Sequence, residues 1–430
     1  MKREVITNER TGDSYVKIMH DSGLEILIWK TPGFSAKQAM FSTRYGSVNT
    51  TFRTNEDADF VTVPEGIAHY LEHKLFENED SKVFELYAQT GALGNAYTSF
   101  DRTCYYFSCT ENFMDSLAIL LDFVQSPYFT EETVAKEQGI IAQEIKMYDD
   151  DPNWAVFFGL LGGIYHKNPV KIDIAGTVES IAQITPELLY RCYYTFYDLH
   201  NMCLSIAGDV DEDEILALCD KMLKVSPDKG LISIVPDEPD TVVTPYSSTT
   251  FEIALPMFNL GFKSAPVAKE DMIRTSVLSN LTLGLMGDES SPLYADLYGK
   301  GLINQGFGCE TFIGSGFYVP LMGGESPDPK RTAEIICKEI ERCKREGFDA
   351  ERFDTIRKAY YGSIIQSFNS PDSIASLLNN TGLQGTGDAF SVMRTVASVT
   401  PEDVHKFLCE RFDTANSSLF VVDPKQGAQS

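Results

Sequence analysis

Two kinds of apolar spacing alternate along the chain. In "ENFMDSLAILLDFVQ" (111–125) and "EETVAKEQGIIAQEIKMY" (131–148) apolar residues return every three or four positions, which predicts amphipathic helices. "CYYFSC" (104–109) and "NMCLSIAG" (201–208) are short, dense apolar runs bounded by polar residues, which predicts strands. The segment "GNAYTSFDRTCYYF" (94–107) alternates enough to read as a strand as well. Because these elements follow no regular βαβ rhythm, the pattern predicts an α+β fold: in each domain, helices packed on one face of a largely antiparallel or mixed sheet.

The same elements occur twice. "ITPELLYRCYYTFYDLHNMCLSIAGDV" from Ile184 matches "VTPEDVHKFLCERFDTANSSLFVVDP" from Val399, with Thr185, Pro186, Glu187, Asp198 and Asn201 each 215 residues before Thr400, Pro401, Glu402, Asp413 and Asn416. Each copy reads as a helix with Thr as N-cap and Pro and Glu in its first turn, followed by an apolar strand. A weaker match sets "EQGIIAQEIKMYDDDPNW" against "RKAYYGSIIQSFNSPDSI", with Pro152 opposite Pro371 at an offset of 219. A period near half the chain length predicts two related domains, 1–225 and 246–430, joined by a Pro-, Asp- and Gly-rich linker over 226–245.

Length supports that division, since 430 residues exceed one ordinary core. Composition then narrows the partners. Sixty-two acidic residues against 36 basic ones give a formal charge of −26, which excludes nucleic acid because its phosphates would be repelled. A cationic peptide is compatible with that field, and so is a simple solvated acidic surface. The opening residues lack an apolar secretory core and no run reaches the ~18 residues of a membrane helix, so no membrane insertion and a cytoplasmic location are expected. Nine cysteines without CxxC spacing agree with reduced thiols.

The chain has only six histidines, and two of them stand four apart in "EGIAHYLEHKLFE" (65–77). On a helix His69 and His73 share a face and can bind one ion, with Glu72 beside them. This HxxEH order is the reverse of HExxH and occurs among inverzincins. Two imidazoles and one carboxylate leave zinc an open position, where a water of lowered pKa can lose a proton to a neighbouring carboxylate and attack an amide. A third ligand must come from elsewhere. Glu137 and Glu144, seven apart, share a helix face; Glu144, flanked by Ile140, Ile141 and Ile145, is the better placed to point inward, although both also suit an ordinary surface. His166 and His200 sit beside turns and read as surface or local hydrogen-bonding residues. "MGGESPDP" from Met322 and "GTGD" from Gly385 read as turns, not phosphate cradles, because neither has the P-loop lysine.

His69-Tyr70-Leu71-Glu72-His73, the later Glu137 and Glu144, the 94–107 segment and the duplicated halves together resemble the pitrilysin/insulinase family of zinc metallopeptidases, over essentially the whole chain. "IAHYLEHKLFE" and "YHKNPVKIDIAGTVESI" are most similar to bacterial members of its mitochondrial-processing-peptidase-like subgroup. The resemblance implies two homologous domains facing each other as a clamshell, and one zinc per chain on His69, His73 and Glu144. It further implies Glu72 as general base, Glu137 as a supporting glutamate, and Asn95 and Ala96 as substrate contacts on a strand that pairs with the peptide backbone. The activity implied is endopeptidase cleavage of peptides or unfolded leader segments. The alternative is a non-catalytic scaffold subunit, since relatives of this fold serve in respiratory complexes.

The second half departs from the pattern. It has no HxxEH, and Ser363 stands opposite Glu144, so no second metal site is expected. In "SPLYADLYGKGLIN" (291–304) Tyr298 and Asn304 stand where the family commonly has the arginine and tyrosine that hold substrate. That departure, with the two-chain members of the subgroup, implies a metal-free homologous partner chain, or failing that a homodimer.

Overall fold

The computed structural model describes residues 1–77 and 82–425. Its first compact unit comprises residues 1–145, 173–234 and 365–390, and its second 146–172, 235–364 and 391–430. Neither unit is continuous in sequence. Segments 146–172 and 365–390 belong to the unit that the other half builds, and they begin 219 residues apart, the offset that aligns Pro152 with Pro371.

The first unit holds a seven-stranded sheet in the order β1 (Lys2–Thr7), β2 (Ser14–Met19), β3 (Glu25–Lys30), β9 (Met202–Gly208), β4 (Lys37–Thr43), β8 (Thr103–Cys109), β7 (Leu93–Thr98). A small sheet, β10 (Ile232–Ser233), β5 (Thr51–Arg53) and β6 (Val61–Thr62), stands beside it. The second unit has a five-stranded sheet ordered β11 (Tyr246–Phe251), β15 (Ser417–Pro424), β12 (Met257–Phe262), β14 (Phe317–Glu325), β13 (Gly308–Gly314). In each of the two larger sheets one pair is parallel, β3 with β9 and β11 with β15, and the others are antiparallel. The run β3-β9-β4-β8-β7 therefore repeats in order and direction as β11-β15-β12-β14-β13, and the α+β class with mixed sheets and packed helices holds.

Caps explain why the repeated signature folds alike. Thr185 and Thr400 accept the amides of Leu188 and Asp403 at the starts of helices Pro186–Phe196 and Pro401–Arg411, each with proline at its first position. Asp198 and Asp413 then cap short 3₁₀ turns that deliver the chain into β9 and β15.

Strand parity shows that helices cover more than one face. Ile26 and Ile28 of β3 enter the main core of the first unit, while Leu27 and Trp29 point the other way into a cluster with Ile374, Leu378 and Phe390. Helix Pro371–Gln384 thus covers the second face, and β9 is buried at every position as a result. Close approach is required here, since a Cβ on Gly382 would meet the Cys203 sulfur at 2.2 Å.

Two expected local elements differ. Residues 94–107 form a hairpin, β7 and β8, because 99–102 turn the chain with the Ser99 amide donating to the Arg102 carbonyl at 2.8 Å. Met322–Glu325 end strand β14; the apolar neighbours 317–321 extend the strand through both glycines, and the turn begins only at Ser326.

Candidate metal centre

Helix Ile67–Leu75 starts at Gly66, whose φ of 86° and contact with the Ala175 carbonyl (2.3 Å from a hypothetical Cβ) exclude a side chain. Ile67, Ala68, Tyr70, Leu71 and Leu75 anchor it in the core. Its histidines face helix Glu131–Asp149, to which it is tied by the Tyr70 hydroxyl donating to the Val134 carbonyl. That second helix buries Val134, Ile141 and Ile145, with Glu137 inside the same stripe. A buried carboxylate needs a partner. Glu137 has one: it accepts from His73 Nδ1 at 2.9 Å.

Holding the proton on Nδ1 leaves His73 Nε2 as the lone-pair nitrogen, 3.4 Å from Glu144 Oε2. His69 Nε2 lies 3.7 Å from Glu144 Oε1, and the two imidazole centroids are 4.5 Å apart. Ligand atoms of His69, His73 and Glu144 all fall within 4.8 Å of one another. His69 is buried, its Nδ1 has no hydrogen-bond partner among the described residues, and its Nε2 stands beyond hydrogen-bond reach of Glu144. An imidazole so placed fits a cation ligand better than a hydrogen-bonding role. Two neutral nitrogens and a carboxylate are also the donor set zinc takes in open sites.

At His69 the electrostatics agree with that fit. Burial, aided by His73, pushes His69 down to about 3, so it stays neutral and able to donate a lone pair. Burial alone would lower His73, but the hydrogen bond it donates to Glu137 and the charges of Glu72, Glu144 and Glu137 outweigh it and raise its pKa. Glu72 is raised by burial and by Glu144, against the opposing pull of Thr98 and His73. Its Oε2 accepts from the Thr98 hydroxyl at 2.7 Å.

The apolar neighbours of Glu144 in sequence favour it as the inward-pointing glutamate. Glu137 is in fact the more deeply buried of the two, and Ile140 lies 46% exposed on the helix's outer side. Exposure alternates along β7: Leu93, Asn95 and Tyr97 are exposed, whereas Gly94, Ala96 and Thr98 turn toward the helices. Ala96 therefore faces the helix side with Thr98, and Asn95 does not; the Asn95 side chain instead accepts the Ala96 amide at 2.8 Å. Thr98 was missed, although its parity with Ala96 could have found it.

The remaining candidates have local partners. His166 Nε2 meets the Thr241 carbonyl at 3.0 Å, and His200 Nδ1 meets Asp198 at 2.8 Å. In the second unit, Tyr298 is half-exposed and stacks on Tyr294, while the Asn304 amide donates to Glu325. Ser363 donates to the Tyr360 carbonyl at 2.8 Å.

An inverted HxxEH helix, a carboxylate from a second helix and a sheet edge beside them form a candidate metal centre. Comparison with known proteins identifies the family. The profile of "Insulinase (Peptidase family M16)" matches residues 62–178, and that of "Peptidase M16 inactive domain" matches 183–360. An uncharacterized zinc protease of Bacillus subtilis, YmfH, is 38% identical over 94% of this chain and 95% of its own length. A crystal structure described as an M16-like peptidase from Alicyclobacillus acidocaldarius superposes with a TM-score of 0.92 at 33% identity, covering 99% of both chains. A probable mitochondrial-processing peptidase subunit beta of Schizosaccharomyces pombe is 32% identical over 36% of this chain and 35% of its own. The chain belongs to the insulinase family, peptidase family M16.

Proposed function

We propose that this chain is a zinc endopeptidase that cleaves extended peptides or unfolded leader segments. The observation that carries the reading is the approach of the His69, His73 and Glu144 ligand atoms to within 4.8 Å of one another, with Glu72 near enough to couple to His73 and Glu144. Those three would hold one zinc per chain, and Glu137 fixes the His73 tautomer behind them. Zinc, when bound, supplies a Lewis acid that polarises a carbonyl and acidifies water. Glu72, whose carboxylate pKa is raised by burial, takes a proton from the attacking water and passes it to the amide nitrogen as the C–N bond breaks, giving a carboxylate and an amine. Strand β7 ends its sheet, which supports pairing of an extended substrate along its outer edge, with Ala96 as a backbone contact. Since that amide is already engaged by Asn95, a substrate strand would displace the Asn95 side chain.

Chelation tests the reading: EDTA should stop hydrolysis of an unfolded peptide and zinc should restore it, with the circular dichroism spectrum unchanged. Unfolding on chelation would make the metal structural instead. A scaffold role would be favoured by zinc-loaded protein that cleaves no peptide.

We further propose a metal-free homologous partner, supplying the arginine and tyrosine absent at Tyr298 and Asn304. Adding that chain should raise kcat/KM; full activity alone, unchanged by the addition, would remove the partner and favour a homodimer or a single chain. No helix among the described residues is long and apolar enough to cross a membrane. All nine cysteines are free, which supports placement in the cytoplasm.

A further inference from the structure

The hydroxyl that grips Glu72 comes from the substrate-side strand itself. Thr98 is the last residue of β7, and its cross-strand partner is Thr103, the first residue of β8, so the two close the hairpin. Thr98 Oγ1 donates to Glu72 Oε2 at 2.7 Å and stands 3.3 Å from Thr103 Oγ1. The Thr103 hydroxyl in turn donates to the Tyr45 carbonyl at 2.8 Å. Each hydroxyl has one proton, and both are committed: one to the carboxylate, one to the loop.

That loop holds the hairpin turn rigidly. The Ser47 and Val48 amides donate to the Ser99 and Phe100 carbonyls at 3.1 and 3.0 Å. Gly46 lets the loop approach so closely that an added Cβ would stand 2.4 Å from the Phe100 backbone. Thr98 is therefore placed by backbone contacts on both sides, and Glu72 is placed by Thr98.

We infer that Thr98 is a positioning residue for Glu72: it fixes Oε2 of the carboxylate, so that Oε1 is presented as the oxygen that takes the proton. The inference rests on the peptidase reading for its catalytic consequence, but the placement of the carboxylate can be measured without it. A charge-assisted hydrogen bond of this kind is stronger than a neutral one and has a defined direction.

Thr98→Val removes only the hydroxyl, and Thr98→Ser keeps it. Crystal structures of both metal-free variants should show the Glu72 carboxylate displaced in Thr98→Val and retained in Thr98→Ser. With zinc bound at wild-type stoichiometry, kcat of Thr98→Val should fall ~10–100-fold at little change in KM, and Thr98→Ser should recover most of it. A carboxylate that keeps its place in Thr98→Val overturns the inference, as does an equal loss of kcat in Thr98→Ser. Displacement in Thr98→Val alongside a wild type that cleaves no peptide would uphold the positioning and overturn the peptidase reading.

Discussion

Glu72→Gln abolishes peptide hydrolysis, lowering kcat by ~10²–10⁴-fold or more, while zinc binding is unchanged. The amide can still accept the Thr98 hydroxyl, so the local structure survives. It cannot take a proton from water, so the reaction loses its base. The residue is close enough to His73 and Glu144 to feel their charges yet is absent from the metal-competent cluster of His69, His73 and Glu144, which is why zinc content should not follow activity. The paired assay is zinc by atomic absorption and kcat on an unstructured peptide. Equal activity in the mutant and wild type would assign the hydrolysis to another mechanism.

The second large effect lies away from the metal, in the second unit. Lys263 and Glu238 form an ion pair at 2.9 Å with side chains 4% and 5% exposed. Lys263 Nζ also donates to the carbonyls of Ile164 and Thr241 at 2.9 and 2.8 Å. Glu238 accepts the amides of His166, Lys167 and Asn168 at 2.6–2.9 Å, so the pair fastens the end of the linker to the loop after helix Pro152–Ile164. Lys263→Met leaves the carboxylate buried without its cation and should cost about 3–5 kcal/mol. Urea unfolding of the variant checks it, and a loss under ~1 kcal/mol would show that water compensates the charge.

The same carboxylate sets a pH dependence. Burial would raise Glu238, but the Lys263 hydrogen bond and three backbone amides outweigh it and bring the pKa down to about 2. With a folded value below the unfolded value of ~4.3, its stabilisation is complete above that value. It is lost as pH falls from ~4 toward 2, so the stability difference between wild type and Lys263→Met should narrow over that interval.

The candidate site residues were legible because their spacing is local. His69 and His73 need only one helical turn, and Glu137 and Glu144 only two, so periodicity alone placed each pair on a face. Bringing the two helices together depended on the resemblance, since no pattern in sequence encodes the Tyr70 bond to Val134. The repeat was legible through its caps, Thr185 and Thr400 above all. What sequence concealed was the crossing of 146–172 and 365–390 into opposite units. An apolar strand such as β9 announces that both faces are buried, but not which helix buries the second one. The β7–β8 turn was concealed for a related reason: Phe100 is buried and continues the apolar alternation, although the four residues 99–102 reverse the chain. Thr98 looked like one more strand residue until the hairpin brought it to Glu72.

Anomalous diffraction at the zinc edge, from crystals of the zinc-loaded protein, tests the proposal that His69, His73 and Glu144 hold one catalytic zinc. One peak per chain is expected within bonding distance, ~2.0–2.2 Å, of a nitrogen from each histidine and an oxygen of Glu144. A zinc bound elsewhere, or a zinc on the histidines with Glu144 turned away, would contradict it.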